Sequence, residues 1–224
     1  FLRDNPVCAT ENIVLNATPW VLESEDEEEQ KRRIALLFDV NRMAYQQSNS
    51  IEKLQQNQLP SGAWPWFKGM HEDRHTTQNI VLGIARLHDK GVIDLQAENK
   101  LLQMTKKAVA YLDKELEKEF EKLKKNNSKY KTTNHLGSNQ IEYLYARSIL
   151  LEELQIPASS EEAFSYYSAQ AKKYWLKENN YLQGMIALTL FRLGSRNEAE
   201  GIMRSLKERA LFSDEMGMYW RTES

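Results

Sequence analysis

Residues 54–69, LQQNQLPSGAWPWFKG, constrain the fold of this chain more than any other stretch. A Gln-rich helix end runs into Pro60-Ser61-Gly62, where proline removes a backbone donor and glycine admits a positive φ, so the helix stops and the chain reverses. Trp64, Trp66 and Phe67 follow at once, each able to bury a large apolar area beside the next element. Gly217, Met218, Tyr219 and Trp220 repeat the device near the end of the sequence. Turns marked by aromatics between long helices predict helical hairpins repeated around an axis.

The other helices follow from apolar residues spaced three and four apart. Residues 9–22 place Ile13, Val14, Ala17 and Val21 on one side, with Pro19 bending the end. The acidic run 23–29 then precedes Lys31, Arg32 and Arg33, a charge order that suits the helix dipole and i,i+4 pairing. Ile34, Leu37, Phe38 and Tyr45 carry the stripe onward. Further helices are predicted over 76–87 with Gly91 as terminator, from Asp94 as cap to residue 125, over 141–154, from Ser159 or Ser160 to Trp175, over 181–193 before Gly194, and over 197–210. Residues 113–125 alternate Lys and Glu around a thin apolar line and read as an exposed or projecting helix. No stretch reads convincingly as a strand. The expectation is an all-α chain of roughly eight or nine helices joined by short turns, forming one domain over residues 1–224.

Composition narrows the function classes. With 224 residues the chain can bury a substantial core. A net charge of -2 lacks the strongly basic face of a nucleic-acid binder, so no nucleic-acid partner is expected. No apolar run reaches the length of a bilayer span, so no direct membrane insertion is expected. The opening Phe1-Leu2-Arg3-Asp4 turns charged at once, unlike a signal peptide, and the chain reads as a piece of something longer. A single cysteine, Cys8, leaves no internal disulfide and no cysteine-based zinc cluster.

Three patterns invite chemistry. His71-Glu72-Asp73-Arg74-His75 fits H-E-x-x-H, in which two imidazoles one helical turn apart bind zinc and the Glu activates its water. Glu98 lies where a third ligand would stand, so a zinc hydrolase using His71, His75 and Glu98 is one alternative. The motif follows Gly69 and Met70 directly, however, so a helix start carrying two half-exposed histidines is the plainer reading. Trp64, Trp66 and Trp220 would line a cup for a sugar or isoprenoid in a second alternative, an enzyme on a helical-toroid fold, but core and turn packing is the plainer reading of these rings. Such an enzyme needs paired carboxylates, and Glu72 and Asp73, adjacent on a helix, would point apart. Cys8 without a histidine tied to it reads as packing. Residues 23–29 lack the alternating ligand spacing of a calcium loop. Residues 106–125, with mixed charge, read as a solvated face before they read as a partner-docking helix.

The order of features carries a resemblance. The segment CATENIVL from Cys8, the acidic linker, the Gln-rich helix into PSGAWPWF, the helix start EDRHTTQN at 72–79, and the ending SLKER before DEMGMYW resemble the thioester domain of the alpha-2-macroglobulin and complement family, most of all its bacterial envelope branch. The likeness covers most of the chain. It implies an α/α toroid, with inner and outer helices alternating about an axis, here short of its last helix pair. It also implies a periplasmic or cell-surface parent, and partners that are neighbouring domains of that parent and the proteases it traps. In that family a cysteine thiol bonds the side-chain carbonyl of a glutamine three residues on. Cys8 matches the cysteine, but Glu11 stands where the glutamine belongs, and an ionised carboxylate is a poor electrophile that has no ammonia to lose. The resemblance therefore implies a non-catalytic domain without its covalent step, with Cys8 and Glu11 as the degenerate pair and no cofactor.

Overall fold

A computed structural model describes residues 40–215 and 217–221, with side chains from residue 47 onward. The expected first helix over 9–22, the acidic run 23–29, and Cys8 with Glu11 lie outside the described residues. Among the described residues there are seven α-helices: α1 (Val40–Asn57), α2 (Arg74–Asp89), α3 (Asn99–Asn126), α4 (Ser138–Leu150), α5 (Glu161–Tyr174), α6 (Asn180–Arg192) and α7 (Arg196–Glu208). Single 3-10 turns, Ala158–Ser160 and Trp175–Lys177, flank α5. The chain is mostly helical, as its periodicity predicts.

Two short antiparallel ladders correct the expectation of no strands. β1 (Trp64–Pro65) pairs with β2 (Glu72–Asp73), and β3 (Leu211–Ser213) pairs with β4 (Gly217–Tyr219). Ladders of two or three residues leave no alternation for a sequence pattern to report.

Local chemistry sets the helix ends. The Asp73 carboxylate accepts from the Thr76 amide at 2.6 Å and opens α2, and the Asn179 side chain accepts from the Leu182 amide at 3.0 Å and opens α6. Gly91 (φ 67°) and Gly194 (φ 80°) close α2 and α6. In each case the residue after the glycine donates back to Leu87 or Leu190, five positions earlier. This termination needs a left-handed residue, which glycine supplies without a Cβ clash. Asp94 departs from its expected role. Its carboxylate accepts from the amides of Gln96 and Ala97 within a turn, and α3 begins only at Asn99.

The described residues fall into two compact units, divided between Tyr111 and Leu112 inside α3. In the second unit, the far half of α3 is not the projecting helix that its charge pattern suggests. Leu112, Asp113, Leu116 and Phe120 are buried. Phe120 packs on Tyr166 with ring centroids 4.8 Å apart and edge-on to Tyr130 and Tyr167. Lys114, Lys118, Lys122 and Lys125 stay exposed, whereas Lys124 lies over the Phe120 ring and pairs with Glu162, so the thin apolar line is a packed stripe.

Burial alternates along the chain. α2 buries ten of its 16 residues, α4 eight of 13 and α6 seven of 13. Between and after them, α5 buries only four of 14 and α7 three of 13. Helices α2 and α4 are thus covered on nearly every side and α6 on all but the face of Tyr181, Leu188 and Phe191, while α5 and α7 present one apolar stripe and solvate the rest. Within the second unit, α4 packs against both α5 and α6, and α6 packs in turn against α7.

Candidate functional site

The first unit is organised by the reversal between α1 and α2. Leu59 accepts from the Gly62 amide and donates its own amide to Ala63, closing a tight turn around Pro60 and Ser61. Gly62 has φ 90°, and a Cβ there would stand 2.3 Å from the Lys107 carbonyl oxygen, so the turn rests directly on the backbone of α3. The Gln58 side-chain amide uses both hydrogens to bridge this contact, donating to the Gly62 carbonyl at 2.8 Å and to the Met104 carbonyl of α3 at 2.9 Å.

Trp64 comes next and is fully buried. Its indole N–H donates to the Leu54 carbonyl of α1 at 2.8 Å, and its amide donates to the Thr77 hydroxyl of α2 at 2.9 Å. That hydroxyl donates in turn to the Asp73 carbonyl at 2.7 Å. One indole and one hydroxyl therefore tie α1, β1, β2 and the start of α2 into a single corner. Trp64 packs as core, with no face of its ring reaching solvent.

Beyond the corner the hairpin turns outward. Phe67 accepts from the Met70 amide at 3.1 Å across Lys68 and Gly69, and Gly69 takes φ 90°. Trp66 (41% exposed) and Phe67 (55%) meet edge-to-face with centroids 6.1 Å apart, and Met70 is exposed beside them. Stiff aromatic side chains on a braced hairpin give contact area at little entropic cost, as interface hot spots do. Trp220, in the second unit, is partly exposed and donates its indole N–H to the Leu206 carbonyl at 2.8 Å.

The H-E-x-x-H segment does not form the zinc geometry. His71 sits in the loop before β2, Glu72 and Asp73 are strand, and His75 lies in the first turn of α2. A strand-to-helix junction cannot hold both imidazoles one helical turn apart on one face. His75 is instead within 3.1 Å of the Asn79 amide nitrogen. Glu98 precedes α3, and no group of three His, Cys, Asp or Glu side chains spaced to hold a metal ion occurs among the described residues. The adjacent Glu72 and Asp73 likewise make no acid–base pair, because Asp73 is spent on the helix cap.

Two clusters in the second unit escape sequence reasoning. Tyr143 of α4 donates its hydroxyl to Asp113 of α3 at 2.6 Å, and Arg147, one turn on, pairs with the same carboxylate oxygen at 3.0 Å and donates to the Leu154 carbonyl at 2.7 Å. All three side chains are buried. Burial pushes the Asp113 carboxyl above its ordinary value even with the Arg147 guanidinium beside it, and burial together with the carboxylate pushes the Tyr143 hydroxyl well up. In the second cluster, the loop 127–137 is pinned to α5: Tyr166 donates to the Tyr130 carbonyl at 2.7 Å, Tyr174 donates to the Thr132 carbonyl at 2.9 Å, and Gln170 accepts from the His135 amide at 3.0 Å. The spacing of Tyr143 and Arg147 one turn apart was the available signal, since an arginine on an otherwise apolar helix calls for a buried acid.

Comparison with models of known protein families, with curated proteins and with solved structures gives no match.

Proposed function

We propose that this chain is a non-catalytic, all-helical domain of a large cell-envelope protein of the alpha-2-macroglobulin kind, corresponding to the thioester-domain toroid without the covalent step. The observation that carries the reading is the alternation of burial. Helices α2 and α4 are covered nearly all round and α6 on all but the face of Tyr181, Leu188 and Phe191, whereas α5 and α7 expose all but one stripe. That is the arrangement expected when every second helix lines an inner ring. The contact between α4 and α6, which skips the helix between them, fits the same pattern. The braced Trp64 corner supports the reading too, because it fixes one helix-to-helix reversal through backbone and side-chain bonds at once. Glu11, in place of the bond-forming glutamine, supports a domain whose work is conformational: packing against its neighbours and shifting when a bait segment elsewhere is cut.

The test uses the full-length protein carrying this domain. After exposure to an endopeptidase, the trapped protease is expected to keep cleaving small peptide substrates, to lose access to large protein substrates, and to separate from the trap under denaturing conditions. Intact mass is expected to equal the sequence mass. A protease that remains fully active on proteins refutes the trapping role. A mass lower by one ammonia and restored by methylamine refutes the loss of the thioester.

A further inference from the structure

We propose that the corner between α5 and α6, together with the loop before α4, is a docking surface for an anionic lipid bilayer. This goes beyond the trapping role and concerns a different surface. Residues 172–177 read KKYWLK, and α5 ends there in the 3-10 turn Trp175–Lys177. Leu176, at the centre of that turn, is 67% exposed. The Lys173 and Lys177 ammonium groups stand 5.1 and 5.6 Å from the centroid of the Tyr174 ring, so two cations border one aromatic. Tyr174 in turn donates to the Thr132 carbonyl, which ties the loop that carries Lys131 to α5, and the Lys131 ammonium itself stands 5.8 Å from the Tyr130 ring centroid. The Lys129 carbonyl accepts from the Thr132 and Thr133 hydroxyls at 3.0 and 3.1 Å, so the backbone of Lys129 belongs to the same tied loop.

The charges there are uncompensated. Lys129, Lys131, Lys173 and Lys177 are all exposed, and among the described residues none has a carboxylate within ion-pair distance. Their neighbours differ: Lys172 pairs with Glu198 at 3.0 Å, and Lys124 pairs with Glu121 and Glu162. The unpaired lysines Lys173 and Lys177 flanking Tyr174 beside an exposed leucine, with Lys129 and Lys131 exposed on the loop tied to Tyr174, match the layers of an anionic bilayer surface. Lysines meet the headgroup charge, Tyr174 and Trp175 suit the headgroup level, and Leu176 meets the acyl boundary. The apolar centre separates this partner from a nucleic acid, which would find in Leu176 nothing to pair with. No helix among the described residues is long and apolar enough to cross a membrane, so the docking is peripheral.

The experiment is co-sedimentation of the 224-residue chain with vesicles of phosphatidylcholine alone and with phosphatidylglycerol added, at low and at physiological salt. Binding is expected only to the anionic vesicles and to fall with salt. K173Q/K177Q should weaken it about thirtyfold, since each lysine at such a surface contributes about fivefold. L176S should also weaken it, whereas K118Q, at a lysine paired with Glu115 on α3, should leave it unchanged. Circular dichroism and thermal melts confirm that the variants are folded. Absence of binding to the anionic vesicles at low salt overturns the proposal. So does binding that L176S leaves untouched and that single-stranded DNA or heparin abolishes, because that would identify a soluble polyanion as the partner.

Discussion

Gly62, in the turn before β1, and Gly69, at the tip of the β1–β2 hairpin, share a φ of 90°, and the difference between them isolates a single steric contact. At Gly69 a Cβ meets nothing within 4 Å. Gly69→Ala should therefore cost only the left-handed backbone penalty, partly offset by a stiffer unfolded chain, or about 1 kcal/mol net. At Gly62 the same Cβ would lie 2.3 Å from the Lys107 oxygen and 2.6 Å from its carbonyl carbon, roughly 1 Å inside ordinary contact. Neither atom can swing aside, because both belong to the backbone of α3. The turn must back away, and in doing so it stretches the Gln58 bridge between Gly62 and Met104. Two weakened hydrogen bonds at about 1 kcal/mol each, added to overpacking of about 1–3 kcal/mol, place Gly62→Ala some 3 kcal/mol below Gly69→Ala. Urea titration followed by far-ultraviolet circular dichroism reads both variants against the parent chain. Equal midpoint shifts would refute the reasoning, because they would mean that the turn does not rest on α3.

Trp64→Phe keeps most of the buried volume but loses the indole donor to Leu54, so it should cost about 1–3 kcal/mol by chemical denaturation, against about 3–5 kcal/mol for Trp64→Ala. Asp113→Asn tests the direction of the carboxyl shift. Because burial raises the folded pKa above the ordinary 3.8, the folded state binds the proton more tightly than the unfolded one, and the parent chain should gain stability over the variant as pH falls from the raised value toward 3.8. The gain is at most about 1.4 kcal/mol per pH unit, and a gap that narrows on acidification would show that Arg147 outweighs burial. Tyr166→Phe removes the bond to the Tyr130 carbonyl, so amides in the loop 127–137 should exchange about fivefold faster while the global unfolding midpoint moves little.

What the sequence discloses depends on how local the cause is. Pro60, Gly91 and Gly194 end helices through backbone geometry at one position, and all three ends are legible. Asn179 and Gly194 bracket α6 as their chemistry predicts. Asp94 misleads because its carboxylate serves a turn just as well, and whether a helix follows at once depends on packing further along. Residues 113–125 mislead in a different way. Charged residues on one side of a helix look the same whether the other side is packed or bare, and the partners Tyr166 and Tyr167 lie far off in sequence. His71 and His75 match a motif in letters only, because the register of the histidines depends on where β2 yields to α2. Trp64 and Trp66, two positions apart, take opposite fates, one sealed in the corner and one half-exposed, because β1 ends at Pro65 and Trp66 lies beyond the ladder, where strand alternation no longer applies.

The hairpin at 64–73 has a stiff root and a free tip, which sorts length changes by position. Thr77 holds Trp64 and Asp73 through one hydroxyl, so adding or deleting a residue at 63–65 or 72–77 would put the indole out of register with Leu54. At 67–70 the bond from the Met70 amide to the Phe67 carbonyl closes the tip onto itself, and a Cβ at Gly69 meets open space. An epitope or a reporter peptide grafted there would ride on the corner without loading it, which makes residues 67–70 the natural insertion point for labelling this domain in place.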